Sequence, residues 1–182
     1  MVRADGETRV TYFPYYFVID GTKGLLIWFA SKDGDVFLKD ENDDVLVFLD
    51  RDDFESRRGK DIVSVAWTEA SCINIDELRR SIEKLIDHDS DKEALLSDIL
   101  DDWNFFDDFI RTVGAEGEFL HLKETEVLNL YNKVFAHSHV GALTLGPGDV
   151  KSSWKESELK SLKTILNNFC DFFCDKISHR GD

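Results

Sequence analysis

Between Arg9 and Trp67 the apolar residues come in short runs broken by turn-forming and acidic residues, and from Asn74 onward they recur every three or four positions. The first pattern is that of strands and the second that of amphipathic helices. Arg9 to Asp20 holds Tyr12, Phe13, Tyr15, Tyr16, Phe17, Val18 and Ile19, rich in β-forming side chains and closed by Asp20-Gly21. Pro14 cannot donate to a ladder, so this run is either an edge strand or one that begins after Pro14. Gly24 to Ala30, Asp35 to Lys39, Val45 to Leu49 and Ile62 to Trp67 supply the further strands, with Asp33-Gly34 as a hairpin turn and Asp40 to Asp44 as an acidic one. Successive strands joined by short turns predict an antiparallel meander.

In the second pattern Ile75, Leu78, Ile82, Leu85 and Ile86 line one helical face, with Asn74 and Glu77 at capping-box spacing. Ser90 and Glu93 open a second helix in the same way. Leu95, Ile99, Trp103, Phe106, Ile110 and Val113 form its stripe, and Gly114 stops it. A third helix spans Glu124 to His137 on Val127, Leu130, Tyr131 and Val134, and leaves through a loop ending at Gly146-Pro147-Gly148. Ser153 and Glu156 cap the last, which carries Leu159, Leu162, Ile165, Leu166, Phe169, Phe173 and Ile177. The fold class expected is α+β: an N-terminal antiparallel β-meander of about five strands followed by about four α-helices packed on it, in a single acidic domain over 1–182.

A chain of 182 residues with 42% hydrophobic side chains can build a core without disulfides or a structural metal. Cys72, Cys170 and Cys174 form no framework, and Cys170 and Cys174, four apart on one helical face, do not meet disulfide geometry. Reduced thiols, and a first thirty residues without a basic segment followed by an apolar stretch and cleavage site, predict a cytoplasmic protein. The longest apolar run, Gly24 to Ala30, is far short of a membrane span.

Charge sharpens the picture. The net charge of −15 resides in two segments: Asp33 to Glu55 and Asp87 to Asp108 each carry −8, leaving the remainder near neutrality. Such segregation speeds encounter with basic surfaces, and it argues against nucleic acid or an anionic membrane as a direct partner. Solubility alone would also account for it.

Motifs for catalysis or cofactors are missing. There is no phosphate-cradling glycine loop, no G-x-S-x-G elbow and no zinc motif of the C-x-x-C or H-E-x-x-H type. The run Asp40-Glu41-Asn42-Asp43-Asp44 lacks the glycine that a calcium-binding EF-hand loop requires. His137 and His139 could meet a metal together with His121, Cys170 or Cys174, but a histidine ending a helix commonly serves as a cap. The acids from Asp50 to Glu55, followed by Arg57, Arg58 and Lys60, read more simply as a solvated turn than as a nuclease centre. No cofactor, metal or catalytic residue is therefore assigned, and no enzyme activity is expected.

On the second helix, Asp98, Asp101, Asp102 and Asp108 fall within an arc of about 120°, opposite the core stripe. Phe105 and Phe109 project into this acidic arc. Two arrangements satisfy that wheel: an exposed patch with rings as anchors and carboxylates as a steering rim, or a sandwiched helix whose rings touch a neighbour. Asp43, Asp44, Asp52, Asp53 and Glu55 would extend such a patch if the turns of the sheet lie beside this helix.

Tyr15-Tyr16-Phe17-Val18-Ile19-Asp20, Leu26-Ile27-Trp28-Phe29, Asp33-Gly34-Asp35-Val36-Phe37-Leu38 and the Asp50 to Glu55 turn, covering roughly the first third, resemble bacterial toxin-immunity proteins of the contact-dependent growth-inhibition or polymorphic-toxin type. The resemblance implies a cytoplasmic inhibitor that occludes a cognate toxin domain. Many such toxins are nucleases with basic clefts, to which an acidic surface is the complement. The alternatives to this reading are a cytoplasmic interaction adaptor or nucleic-acid mimic and, ranked after those, an enzyme with an unfamiliar site.

Overall fold

A computed structural model describes residues 10–32, 34–58, 62, 64–86, 92–119, 124–137 and 154–178. Strands β1 (Tyr12–Ile19), β2 (Thr22–Ser31), β3 (Gly34–Phe37) and β4 (Ser71–Asn74) form one sheet in the order β3-β2-β1-β4. The helices are α1 (Arg51–Arg57), α2 (Ile75–Lys84), α3 (Lys92–Thr112), α4 (Thr125–His137) and α5 (Glu156–Ser178). The α+β class stands, with four strands and five helices among the described residues in place of about five and about four. Residues 1–73 and 74–182 form two compact units.

The first unit is organised by a hairpin. Ile19 pairs with Thr22 across Asp20-Gly21, and both turn residues have positive φ, 50° and 71°. That is a type I′ turn, whose twist matches the strands it joins. The register it imposes sets Phe17 opposite Gly24, and the Phe17 ring lies where a Cβ on residue 24 would stand. On β2, Leu25, Leu26 and Ile27 are all fully buried, so both faces of this strand are covered. Leu25 and Ile27 belong to a core cluster with Phe48, Phe54 and Ile62, against which Tyr12, Tyr16 and Trp67 pack.

Three expectations for this unit are corrected. β1 is an interior strand that contains Pro14, paired with Ile27. Tyr12 turns both its N–H and its C=O toward the segment 64–66 (3.2 Å to Ser64 and 2.8 Å from Ala66). Strand periodicity turns the Pro14 nitrogen the same way, so its missing N–H removes no bond to β2. Val45 to Leu49 is not a strand: Asp43, with φ 69°, reverses the chain, and Val45 and Phe48 make only single bridges, to Lys39 and Leu25. Of the expected strand Ile62 to Trp67, Val65 makes one parallel bridge to Tyr12, Trp67–Glu69 is a 3-10 turn, and the fourth strand comes later, at Ser71–Asn74.

The acidic turn from Asp50 to Glu55 is also revised, because it is helical. Asp50 caps α1 by accepting from the Asp53 N–H at 2.9 Å, and the Asp53 side chain accepts in return from the Leu49 N–H at 2.9 Å. That reciprocity satisfies donors at the helix start, and Phe54 is thereby driven into the core.

The second unit follows its stripes closely. Asn74 caps α2 by accepting from the Glu77 N–H at 3.1 Å. α3 ends at Gly114 with φ 68°, where Ala115 N–H reaches back to the Ile110 carbonyl. The expected caps Ser90 and Ser153 lie outside the described residues. α5 packs on α2 and α3, and α3 also packs on α4. Ion pairs at the rims join α2 to α5 (Arg79–Asp171 2.7 Å, Lys163–Glu83 2.6 Å) and α4 to α5 (Lys133–Glu158 2.7 Å).

The Phe17 ring over Gly24 makes a stability test. Gly24→Ala places a methyl inside that ring, and the overpacking is expected to cost about 1–3 kcal/mol, read as a lower urea midpoint at unchanged slope. A variant as stable as the parent would show that Phe17 has a cheap alternative rotamer.

Candidate functional site

In the first unit the acids expected at a binding surface are partly employed in local structure. Asp40 accepts from the N–H groups of Asn42 and Asp44 at 2.8 and 3.0 Å and so shapes the turn that presents Asp43 and Asp44. Both of those are exposed, and Asp43 pairs with Lys39 at 3.0 Å. Asp53 pairs with Arg57 at 3.1 Å and Glu55 with Arg58 at 2.8 Å, and both acids are half-buried. Asp52 is exposed in the first turn of α1, where its charge favours the helix dipole.

In the second unit the aromatic half of the expected patch is corrected. Phe105 and Phe109 retain only 3% and 1% of their exposure. They meet α5: Phe105 stands edge-on to Phe173 at 5.2 Å, and Phe109 to Phe173 at 4.8 Å. On the next strip of α3, Phe106 stacks on Phe169 at 5.2 Å, and Trp103 meets Phe169 at 5.7 Å and Tyr131 of α4 at 5.6 Å. With α5 on one side and α4 on the other, the buried sector of α3 is wider than one stripe and takes in part of the acidic arc. The rings are core, unavailable as surface anchors.

The carboxylates of that arc separate accordingly. Asp98 and Asp101 are exposed, whereas Asp102 and Asp108 are half-buried. Arg111 reaches both Asp107 at 2.7 Å and Asp108 at 3.2 Å. The Asp102 carboxyl is pushed up to about 7, by burial first and then by the neighbouring charges of Asp101 and Asp98. Near neutral pH it therefore holds its proton part of the time and adds little to the field.

A different acidic-aromatic feature lies between α3 and α4. A groove of about 250 Å³ has Trp103, Ile110 and Phe119 as buried floor and Tyr131 and Leu128 as its α4 wall. Asn104, Asp107 and Glu116 complete the lining. The Tyr131 hydroxyl donates to Asn104 Oδ1 at 3.1 Å, and its pKa is raised by burial and then by the Asp107 charge. Leu128 keeps 50% of its exposure, one of three large hydrophobic side chains exposed among the described residues. Asp107, Trp103 and Tyr131 were legible on their helices; their convergence with Glu116 and Phe119, from the turn after α3, depends on how the chain folds back.

Among the described residues, metal and thiol chemistry find no assembled centre. Among the described residues no three His, Cys, Asp or Glu side chains converge on a metal position. His137 Nδ1 lies 2.8 Å from the Lys133 carbonyl, a local capping contact, and His121 and His139 lie outside the described residues. Cys170 is fully buried, and burial pushes its thiol up to about 12. Cys174 accepts from Arg79 at 3.9 Å. No helix among the described residues is long and apolar enough to cross a membrane. No family model, curated protein or solved structure matches the chain.

Two outcomes follow. Phe105→Ala is expected to cost about 3–5 kcal/mol in urea unfolding, as a core ring does; a loss below about 0.5 kcal/mol is what an exposed ring would give. Because the folded chain holds the Asp102 proton more tightly than the unfolded one, Asp102 contributes fully below about pH 4. That contribution is lost as pH rises through about 7. Asp102→Asn should therefore reduce the fall in stability between about pH 5 and pH 8. Equal falls in parent and variant would contradict the raised pKa.

Proposed function

We propose that the chain is a non-catalytic immunity protein that binds and neutralises a cognate toxin domain of basic, nuclease-like surface, and that it does so in the cytoplasm. The observation that carries this reading is the meeting of two exposed carboxylates, Asp107 and Glu116, with an aromatic-floored groove between α3 and α4 that holds a half-exposed leucine. Charge at a rim accelerates encounter, and apolar burial at a centre slows dissociation. The first unit carries exposed acids of its own, Asp44 and Asp52 among them. Phe105 and Phe109, placed in the core, have no part in it.

The immunity resemblance of the first third and the segregation of net charge into two segments favour the same class of partner. Two observations weigh against catalysis as the purpose of the described surface. The most enclosed thiol, Cys170, is held far from its reactive thiolate form, and among the described residues the lining of the groove includes no Ser, Thr, Cys, Lys or His.

The test is capture from the native host with the tagged chain, followed by stopped-flow association with the captured domain. One tight partner with a basic domain is expected, its toxic activity titrated to zero at equimolar chain. Its association rate should drop at least tenfold as salt is raised from about 0.05 to about 0.5 M. A rate indifferent to salt, or a toxin that remains active when saturated, would overturn the proposal.

A further inference from the structure

We infer that the groove between α3 and α4 is an arginine pocket: it receives one arginine side chain presented by a cationic protein segment. This rests on the partner-binding reading above and deepens it by naming the group that docks.

Size is the first argument. At about 250 Å³ the groove lies below the roughly 300–1,000 Å³ typical of metabolite and cofactor sites, and it suits one long side chain better than a nucleotide or a sugar.

Chemistry is the second. The floor supplies the indole of Trp103 and the wall the ring of Tyr131, tilted 68° against it at 5.6 Å, and both rings line the cavity. Aromatic faces attract cations, and guanidinium groups above all, because the planar ion can lie against a ring while its N–H groups reach carboxylates in the same plane. Asp107 and Glu116, both exposed, supply those carboxylates from α3 and from the turn that follows it. The field of Asp107 is felt inside the groove, where, after burial, its charge helps hold the Tyr131 proton on. A bound cation would relieve that field, whereas an anion would deepen the mismatch.

The third argument is Leu128. A leucine left half-exposed at the wall offers apolar surface where the methylene stem of an arginine would pass. Arg111 already illustrates the geometry from within the chain, spanning Asp107 at 2.7 Å and Asp108 at 3.2 Å. An incoming guanidinium would approach Asp107 from the groove side and share it. Lysine fits less well: its ammonium is a strongly hydrated point charge that gains less from a flat ring and two separated carboxylates.

The experiment uses the full ¹⁵N-labelled chain titrated with N-acetyl-arginine amide. Saturable shifts are expected at the Trp103 indole, Tyr131 and Leu128, with N-acetyl-lysine amide at least threefold weaker and the neutral N-acetyl-citrulline amide giving none. Glu116→Gln should weaken the arginine probe at least threefold. Shifts scattered over Asp98 and Asp101, or equal for arginine and citrulline, would overturn the pocket.

Against the protein captured by the chain, Leu128→Arg fills the groove with its own guanidinium and is expected to lose at least tenfold in affinity at unchanged thermal stability. Glu126→Gln, the same charge change on the far side of α4, should lose less than threefold. A partner that binds the parent and Leu128→Arg equally well overturns the pocket and leaves the partner-binding reading standing. Saturation by the arginine probe in a chain that neutralises no toxin supports the pocket and removes that reading.

Discussion

Phe105, Phe106 and Phe109 of α3 close on Phe169 and Phe173 of α5, and this interlock decides how the helical unit can present its charge. α3 carries acids at 98, 101, 102, 107 and 108, a density that repels itself at helical spacing. Each such like-charge pair costs roughly 0.2–0.5 kcal/mol. Each phenylalanine ring taken out of water contributes roughly 1.5–3 kcal/mol, and all five rings are buried. The apolar side wins by a wide margin, so the helix can keep carboxylates at its surface without a cation for each. Asp102 registers the remaining conflict: trapped beside the interlock, it escapes by holding a proton instead of by leaving the helix.

Formal charge overstates what such a surface projects. Asp40, Asp50 and Asp53 accept backbone N–H groups, Asp43 and Glu55 face Lys39 and Arg58, and Asp107 and Asp108 share Arg111. These acids shape turns, start α1 and tie one helical turn to the next. Arg111 offsets only one of the two acids it serves, so the Asp107–Asp108 pair stays net negative, and Asp52 in the first unit and Asp98 and Asp101 in the second are further exposed carboxylates. A count of acids along the chain therefore locates the negative segments well and measures their reach poorly.

Legibility divided along the same line between local and non-local causes. The hairpin turn at Asp20-Gly21 and the helices α2, α3 and α4 are written in adjacent residues, through positive-φ turn chemistry, caps and stripes, and they stand almost where those signals place them. α1 was equally legible: Asp50 followed by Asp53 is a capping arrangement, hidden by reading the acids as solvent-facing turn. Pro14 misled because a ladder donor was assumed lost, and only the direction of the neighbouring amides shows that none was needed toward β2. For Phe105 and Phe109, the wheel gives an angle but not the number of neighbours; a second helix against α3 turns a surface direction into an interior one.

The composition that pointed to an acidic-aromatic surface was nevertheless informative about the helix and misleading about the rings. Aromatic side chains on a crowded helix sort by what the neighbours leave open. Where α5 lies alongside, rings meet rings and the site closes; where α4 and the turn holding Glu116 and Phe119 diverge from α3, the floor stays open to solvent between Asp107 and Leu128. A helix flanked on both sides can offer a ring to a partner only in such a gap. Trp103 stands at the boundary, touching Phe169 in the core and Tyr131 in the groove, so the interlock that removes Phe105 and Phe109 from the surface also holds rigid the ring on which a cation would rest.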